Sequence, residues 1–159
     1  MQLMAPQRRF ILENHAYHTI SVTRGRQPVL SDPRSALALL NAIQFERTSE
    51  RAYVLAYAIL PDHLHLLLVP REPSDISVVM RNLKSYAAKS INEAVRRSGP
   101  LWQSSFYDRV IRDEAHLERT IEYVHCNPVV AGLSARALDY RWSSAHPSAV
   151  TDVERFLSE

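Results

Sequence analysis

The run Val54-Leu55-Ala56-Tyr57-Ala58-Ile59-Leu60-Pro61-Asp62-His63-Leu64-His65-Leu66-Leu67-Leu68-Val69-Pro70 holds two apolar segments of strand length on either side of a Pro61-Asp62 turn. Segments this continuous read as strands covered on one or both faces, Val54 to Leu60 and His63 to Val69. Side chains alternate across a strand, so His63, His65, Leu67 and Val69 share one face and Leu64, Leu66 and Leu68 the other. The two imidazoles then stand roughly 6.5–7 Å apart along the backbone, close enough to converge on one ion. A histidine inside a sheet is costly unless its nitrogens find partners. Two readings follow: core histidines bonded to backbone or carboxylate, or two ligands of a metal whose third donor comes from elsewhere.

With 159 residues, 46% hydrophobic and 23% charged, the chain has the size of one domain and the balance of a soluble globular protein. No apolar run approaches the roughly 20 residues of a membrane span, and Met1 to Arg9 lacks a signal-peptide core. A cytoplasmic location is the expectation. Cys126, the only cysteine, excludes an internal disulfide and a cysteine-built zinc site. Net charge is +2, and Lys84 and Lys89 are the only lysines in an otherwise arginine set. Arginine's planar fork suits phosphates and guanine edges, so composition permits nucleic-acid binding without requiring it.

In chain order, Arg8-Arg9-Phe10-Ile11-Leu12 reads as a short edge strand or an ordered arm. Tyr17 to Thr23 alternates and is rich in β-formers, predicting a strand. Arg24-Gly25-Arg26-Gln27-Pro28 ends it as a turn whose two arginines suit a phosphate or a base as well as open solvent. Asp32-Pro33 supplies an N-cap and an N1 proline to a helix whose buried stripe is expected at Ala36, Leu37, Leu40 and Ile43.

After the two central strands, Ser74-Asp75-Ile76 caps a long helix to about Arg97, with Ile76, Val79, Met80, Leu83, Ala87 and Ile91 inside. Its outer face carries Arg81, Lys84, Ser85 and Lys89, either a phosphate-tracking stripe or simply the wet side. Ser98-Gly99-Pro100 breaks the chain, and Phe106 to Ile111 is a short strand bearing Asp108 and Arg109. Asp113-Glu114 opens a third helix with core stripe Leu117, Ile121 and Val124; Pro128 is expected to stop it at Asn127. Gly132 marks a turn, and Tyr140-Arg141-Trp142-Ser143-Ser144 is an anchoring segment before a polar tail. Strand, helix, strand, strand, helix, strand, helix predicts an α+β fold, a mainly antiparallel sheet with packed helices. Residues 1–159 form one domain in this reading, with the first 14 residues and the tail after about 147 peripheral.

The third helix presents His116, Arg119, Thr120, Tyr123 and Asn127 along one side. Tyr123 and Asn127 are an i, i+4 pair, phenol and carboxamide on one face. The carboxamide oxygen is an acceptable hard ligand and, added to His63 and His65, would complete a site for Mg²⁺ or Mn²⁺ with positions open for substrate oxygens. The phenol one turn away would then face whatever the metal polarises. A phenol is a poor nucleophile at its free pKa of about 10. A divalent ion beside a phosphodiester neutralises charge and orients the phosphate, so a covalent phosphotyrosine becomes accessible. The plainer alternatives are an interfacial tyrosine with its hydroxyl in water and an asparagine that caps the helix.

These pieces resemble the single-tyrosine transposases of the HUH endonuclease superfamily, and among them the branch associated with repetitive extragenic palindromes. The matching segments are Tyr17-His18 through Arg24-Gly25, Ala56-Tyr57-Ala58 through Pro61-Asp62-His63-Leu64-His65, and Met80-Arg81 through Lys84 to Tyr86. Leu101-Trp102-Gln103, Tyr123-Val124 through Asn127-Pro128-Val129 to Ala131-Gly132-Leu133, and Tyr140 with Trp142-Ser143-Ser144 follow in order. The resemblance implies a ferredoxin-like domain, His63 and His65 as paired metal ligands, Asn127 as the third and Tyr123 as nucleophile. It further implies a metal-dependent endonuclease and strand transferase acting on single-stranded DNA folded into an imperfect hairpin. Arg24, Arg26, Arg81 and Lys84 are the expected DNA contacts.

Two positions depart from the pattern: Asp62 stands where relatives often carry asparagine, and Val130 where many carry a basic residue. The rivals are a DNA-binding regulator without turnover, and a rolling-circle initiator or relaxase. The absence of a second nucleophilic tyrosine near Tyr123 and of a helicase region argues against the second. A short, glycine-free connection ahead of the tyrosine helix favours a monomer whose site assembles in cis over a dimer.

Overall fold

The computed structural model describes residues 15–104 and 106–159, so the expected element at Arg8–Leu12 lies outside the described residues. Four strands, β1 (Tyr17–Val22), β2 (Ala52–Leu60), β3 (His63–Pro70) and β4 (Tyr107–Val110), form one antiparallel sheet in the order β2-β3-β1-β4. Helix α1 (Pro33–Thr48) crosses from β1 to β2, and α2 (Ile76–Ala94) from β3 to β4. Each crossover returns beside a strand of the other unit, which interleaves two βαβ units into the ferredoxin-like plan. Helix α3 (Glu114–Val130) and the short α4 (Val153–Ser158) follow. Among the described residues no helix is long and apolar enough to cross a membrane.

Both faces of the sheet are covered, and this explains why all nine residues of β2 are buried. On one face Leu64, Leu66 and Leu68 of β3 pack with Leu39 and Ile43 of α1 and Val79, Leu83 and Ala87 of α2. On the other, Leu67 and Val69 meet Leu117 and Val124 of α3 and Phe156 of α4. The alternation expected for the second central strand therefore holds. In β2 it slips once: Val54 pairs with Leu68 but Ala56 with Leu67, a bulge at Leu55. Tyr53 and Leu55 before it, and Ala56, Ala58 and Leu60 after it, all reach the α3 side, an exchange of parity that one extra residue produces.

Three expectations need correction. The buried stripe of α1 runs through Ala36, Leu39, Ile43 and Glu46, while Leu37 is 44% exposed. Its first turn is set by the Asp32 cap, whose side chain accepts from the Arg34 N–H, and the i, i+3, i+7 line from Ala36 is the one that meets the sheet. Helix α3 does not stop at Asn127; it continues through Pro128 to Val130. The end is made by Gly132 at φ +75°, with the Leu133 N–H donating to the Pro128 carbonyl and the Gly132 N–H to that of Val129. That is a Schellman closure, and the Pro128 carbonyl is one of the two it satisfies.

The tail is the third. Phe156 is 1% exposed inside the second core. Asp152, 4% exposed, accepts from the Val54 N–H at 3.0 Å beside the bulge and from Arg47 Nε at 2.9 Å. Upstream, the Ile59 N–H donates to the Trp142 carbonyl and the Tyr140 hydroxyl to the Ile59 carbonyl, at 2.8 and 2.6 Å. Residues 140–152 thus satisfy and shield the outer edge of β2, which would otherwise be open to another strand.

Candidate active site

Register decides which side chains meet. Val22 and Ile20 of β1 lie opposite His63 and His65 of β3, and His18 lies opposite Leu67. On the other flank of β1, Arg109 and Tyr107 of β4 lie opposite His18 and Ile20. All these residues share the face turned toward α3, so a single row of histidine, arginine and tyrosine side chains crosses the sheet.

Within that row the His63 and His65 rings meet edge to face, centroids 5.0 Å apart. His63 Nδ1 lies 2.7 Å from Asp62 Oδ1. His65 Nδ1 lies 3.0 Å from Nε2 of His18, and those two rings stack at 5.2 Å. Above them Tyr123 is edge-on to both, 5.7 Å from the His65 ring and 5.9 Å from the His18 ring, and remains 55% exposed. Its position follows from α3: the Asp113 side chain caps the helix by accepting from the His116 N–H at 2.7 Å, and Leu117 and Val124 anchor it to the sheet. Asn127, one turn beyond, lines one groove together with Tyr123, His63, His65, Ile20, Val22 and Arg26.

Burial lowers His65 to a pKa of about 3, with the neighbouring His18 and His63 adding to it. Burial likewise lowers His18 to about 4, helped by Arg109 and His116. Both imidazoles are therefore neutral at neutral pH, the form that coordinates a metal. Burial raises Asp62, but the hydrogen bond from His63 and the Arg26 guanidinium bring it below the usual carboxylate range. Its carboxylate therefore accepts the His63 Nδ1 proton and leaves Nε2 with a free lone pair.

Among the described residues no group of three or more His, Cys, Asp and Glu is arranged to enclose an ion. The donors gathered here are two imidazoles and a carboxamide, an open set of the kind a catalytic ion uses when substrate oxygens complete its shell. The residues present fit that role.

Of the residues expected from sequence, His63, His65, Tyr123, Asn127 and Arg26 share this groove. Arg26 reaches Asp62 Oδ2 at 3.4 Å, and Arg24 is exposed on the same 3-10 turn. Arg81 and Lys84 lie on α2, in the layer behind the sheet. Lys84 donates to the Gln103 carbonyl at 3.2 Å and takes part in holding the 101–103 segment alongside the end of β1. Sequence reasoning missed His18. Alternation along β1 puts it level with Ile20 and Val22, but its partner emerges only from the β1–β3 register.

A family model described as "Transposase IS200 like" matches residues 11–127. A protein of Escherichia coli (strain K12) named REP-associated tyrosine transposase is 23% identical over 145 residues, 90% of this chain and 84% of that protein. A Haemophilus influenzae protein given the same name is 28% identical over 109 residues, and the match spans 62% of each length. A solved structure of a REP-associated tyrosine transposase bound to a REP hairpin superposes with a TM-score of 0.68 at 24% identity, covering 91% of this chain and 81% of that one. A transposase crystal structure from Deinococcus radiodurans gives 0.55 at 23% identity, covering 77% and 92%. At these identities the structural likeness is one of fold.

Proposed function

The chain belongs to the IS200-like transposase family, and from that premise we propose that it is a metal-dependent single-stranded DNA endonuclease and strand transferase acting through Tyr123. The observation that carries this reading is the convergence of Tyr123 and Asn127 from α3 on His63 and His65 from β3 in one open groove. In this reading His63, His65 and Asn127 hold Mg²⁺ or Mn²⁺. The ion, when bound, neutralises the phosphodiester and orients it for in-line attack.

The protein's own groups do the rest. Asp62 fixes His63 with Nε2 free. His65 donates its Nδ1 proton to His18 Nε2, which frees the His65 Nε2 lone pair in the same way. The Tyr123 oxygen attacks phosphorus as the bond to the leaving sugar oxygen breaks; the phenol gives up one proton and the leaving oxygen takes one. One phosphodiester is exchanged for another, a tyrosyl ester, so the bond energy is kept for rejoining. Strand transfer is the reverse step with a different sugar hydroxyl.

The substrate we infer is single-stranded DNA with an imperfect hairpin, supported by the REP hairpin bound to the solved relative. The turn bearing Arg24 and Arg26, at the mouth of the groove, supplies backbone contacts. The test is incubation with labelled single strands from DNA flanking the protein's own gene. Cleavage should require Mg²⁺ or Mn²⁺, stop with chelator, and be lost in His63→Ala and His65→Ala. Calorimetry showing no metal uptake even with DNA present would leave the histidines as core residues instead.

A further inference from the structure

We propose that the groove on the other side of Tyr123 from the histidine pair is a second DNA subsite, taking the phosphates and one base of the strand that continues past the cleaved bond. This rests on the nuclease reading above and extends it. Tyr123, Ile20 and His18 line it together with Tyr107, Arg109, His116, Arg119 and Thr120. The concavity continues around Arg112 and Asp113. Because Tyr123 is a wall of both grooves, a strand whose phosphate lies at its hydroxyl leaves the histidine side by running into this one.

The lining suits a phosphodiester chain. Arg109, Arg112 and Arg119 are exposed, and among the described residues none of the three has a carboxylate within ion-pair distance. The one acid among them, Asp113, is occupied in capping α3. His116 registers the uncompensated charge: after burial, the nearby Arg119, Arg109 and Arg112 all push its pKa down, opposed only by Asp113. Phosphates supply the missing counter-charge, and arginine binds them with a planar fork. Tyr107 is 55% exposed on the edge strand, in line with Arg109, whose Nη2 lies 3.5 Å from the tyrosine hydroxyl. An exposed ring beside a run of guanidinium groups is the combination single-strand sites use, a stacking platform with a backbone track.

The experiment measures binding without cleavage, in Tyr123→Phe protein with chelator present. The probes are fluorescein-labelled single strands from DNA adjoining its own gene, carrying a hairpin with flanks, and versions trimmed to the hairpin from either end. Replacing Arg109, Arg112 and Arg119 together by Gln should make the dependence of log affinity on log salt shallower by about 2, at about 0.7 per lost contact. Replacement by Lys should keep most of that slope. Tyr107→Ala should weaken binding roughly tenfold with little change in slope. Trimming the flank at one end, and not the other, should abolish both differences. An unchanged salt slope, or equal losses on the hairpin with neither flank, would overturn the subsite while leaving the histidine–tyrosine centre standing. If the parent binds none of these strands, the DNA reading falls and the subsite with it.

Discussion

Each of the two imidazoles proposed as metal ligands is held by one neighbour, His63 by Asp62 at 2.7 Å and His65 by His18 at 3.0 Å. Removing such an outer partner usually costs 10- to 100-fold in metal affinity. Asp62→Ala and His18→Ala should each weaken Mn²⁺ binding by about that factor in calorimetry, while His18→Gln, whose carbonyl still accepts the proton, should recover part of it. Burial also makes both inner histidines hard to protonate, since their folded values of about 3 and 4 lie below the ordinary 6.5. A depressed folded value means the unfolded chain binds more protons, so stability is fully present above pH 6.5 and is lost as pH falls toward the folded values. His116 and His125, also lowered by burial, act with the same sign. Chemical denaturation of the metal-free protein should show stability falling between pH 6.5 and 5, and His18→Gln should flatten the slope by up to about 1.4 kcal/mol per pH unit. A flat profile would contradict the burial argument. At this scale His63, His65, Tyr123 and Asn127 were legible, because periods of 2 and 3.6 place each pair on one face. His18 was not, because a lone histidine in a strand has no meaning until the sheet order supplies its partner.

At the scale of elements, α3 is the piece on which the site depends, and its true end matters. Because the helix closes at Gly132 rather than before Pro128, Asn127 is an interior helical residue in step with Tyr123 and not a terminal cap. Proline marks helix boundaries in sequence because it removes a backbone donor, but here the chain stays helical through Pro128 and Gly132 makes the end, so the boundary lies beyond the one the proline suggests. The β2 bulge was equally hidden, since a continuous apolar run gives the same pattern on either parity. The tail is hard to read in sequence because Val153–Ser158 is only six residues long; among its contacts Phe156 packs against Tyr53 with centroids 5.6 Å apart. Phe156→Ala should therefore cost about 3–5 kcal/mol in denaturant unfolding, the usual penalty for deleting a buried aromatic. A loss under 1 kcal/mol would return the tail to the periphery.

At the scale of the whole molecule, the interleaved βαβ units set one histidine pair in the middle of the sheet and leave α3 to lie across it. Only Ile111–Asp113 separate β4 from α3, and Leu117 and Val124 bury the helix on the same chain's sheet. We infer a site assembled in cis. A mixture of His63→Ala and Tyr123→Phe should then cleave nothing, whereas recovered cleavage would show exchange of the helix between subunits. The fold order was readable from the alternation of strand and helix patterns, because each covered face demands a partner layer. The register that builds the site was not, because it is set by which strands neighbour one another. The most direct measurement on Tyr123 is intact-mass analysis after incubation with hairpin-containing single-stranded DNA and Mn²⁺, followed by denaturation. A DNA fragment covalently bound in the wild-type protein at Tyr123, and absent from Tyr123→Phe that still binds the strand, is the predicted result. An adduct or full cleavage in Tyr123→Phe would contradict it.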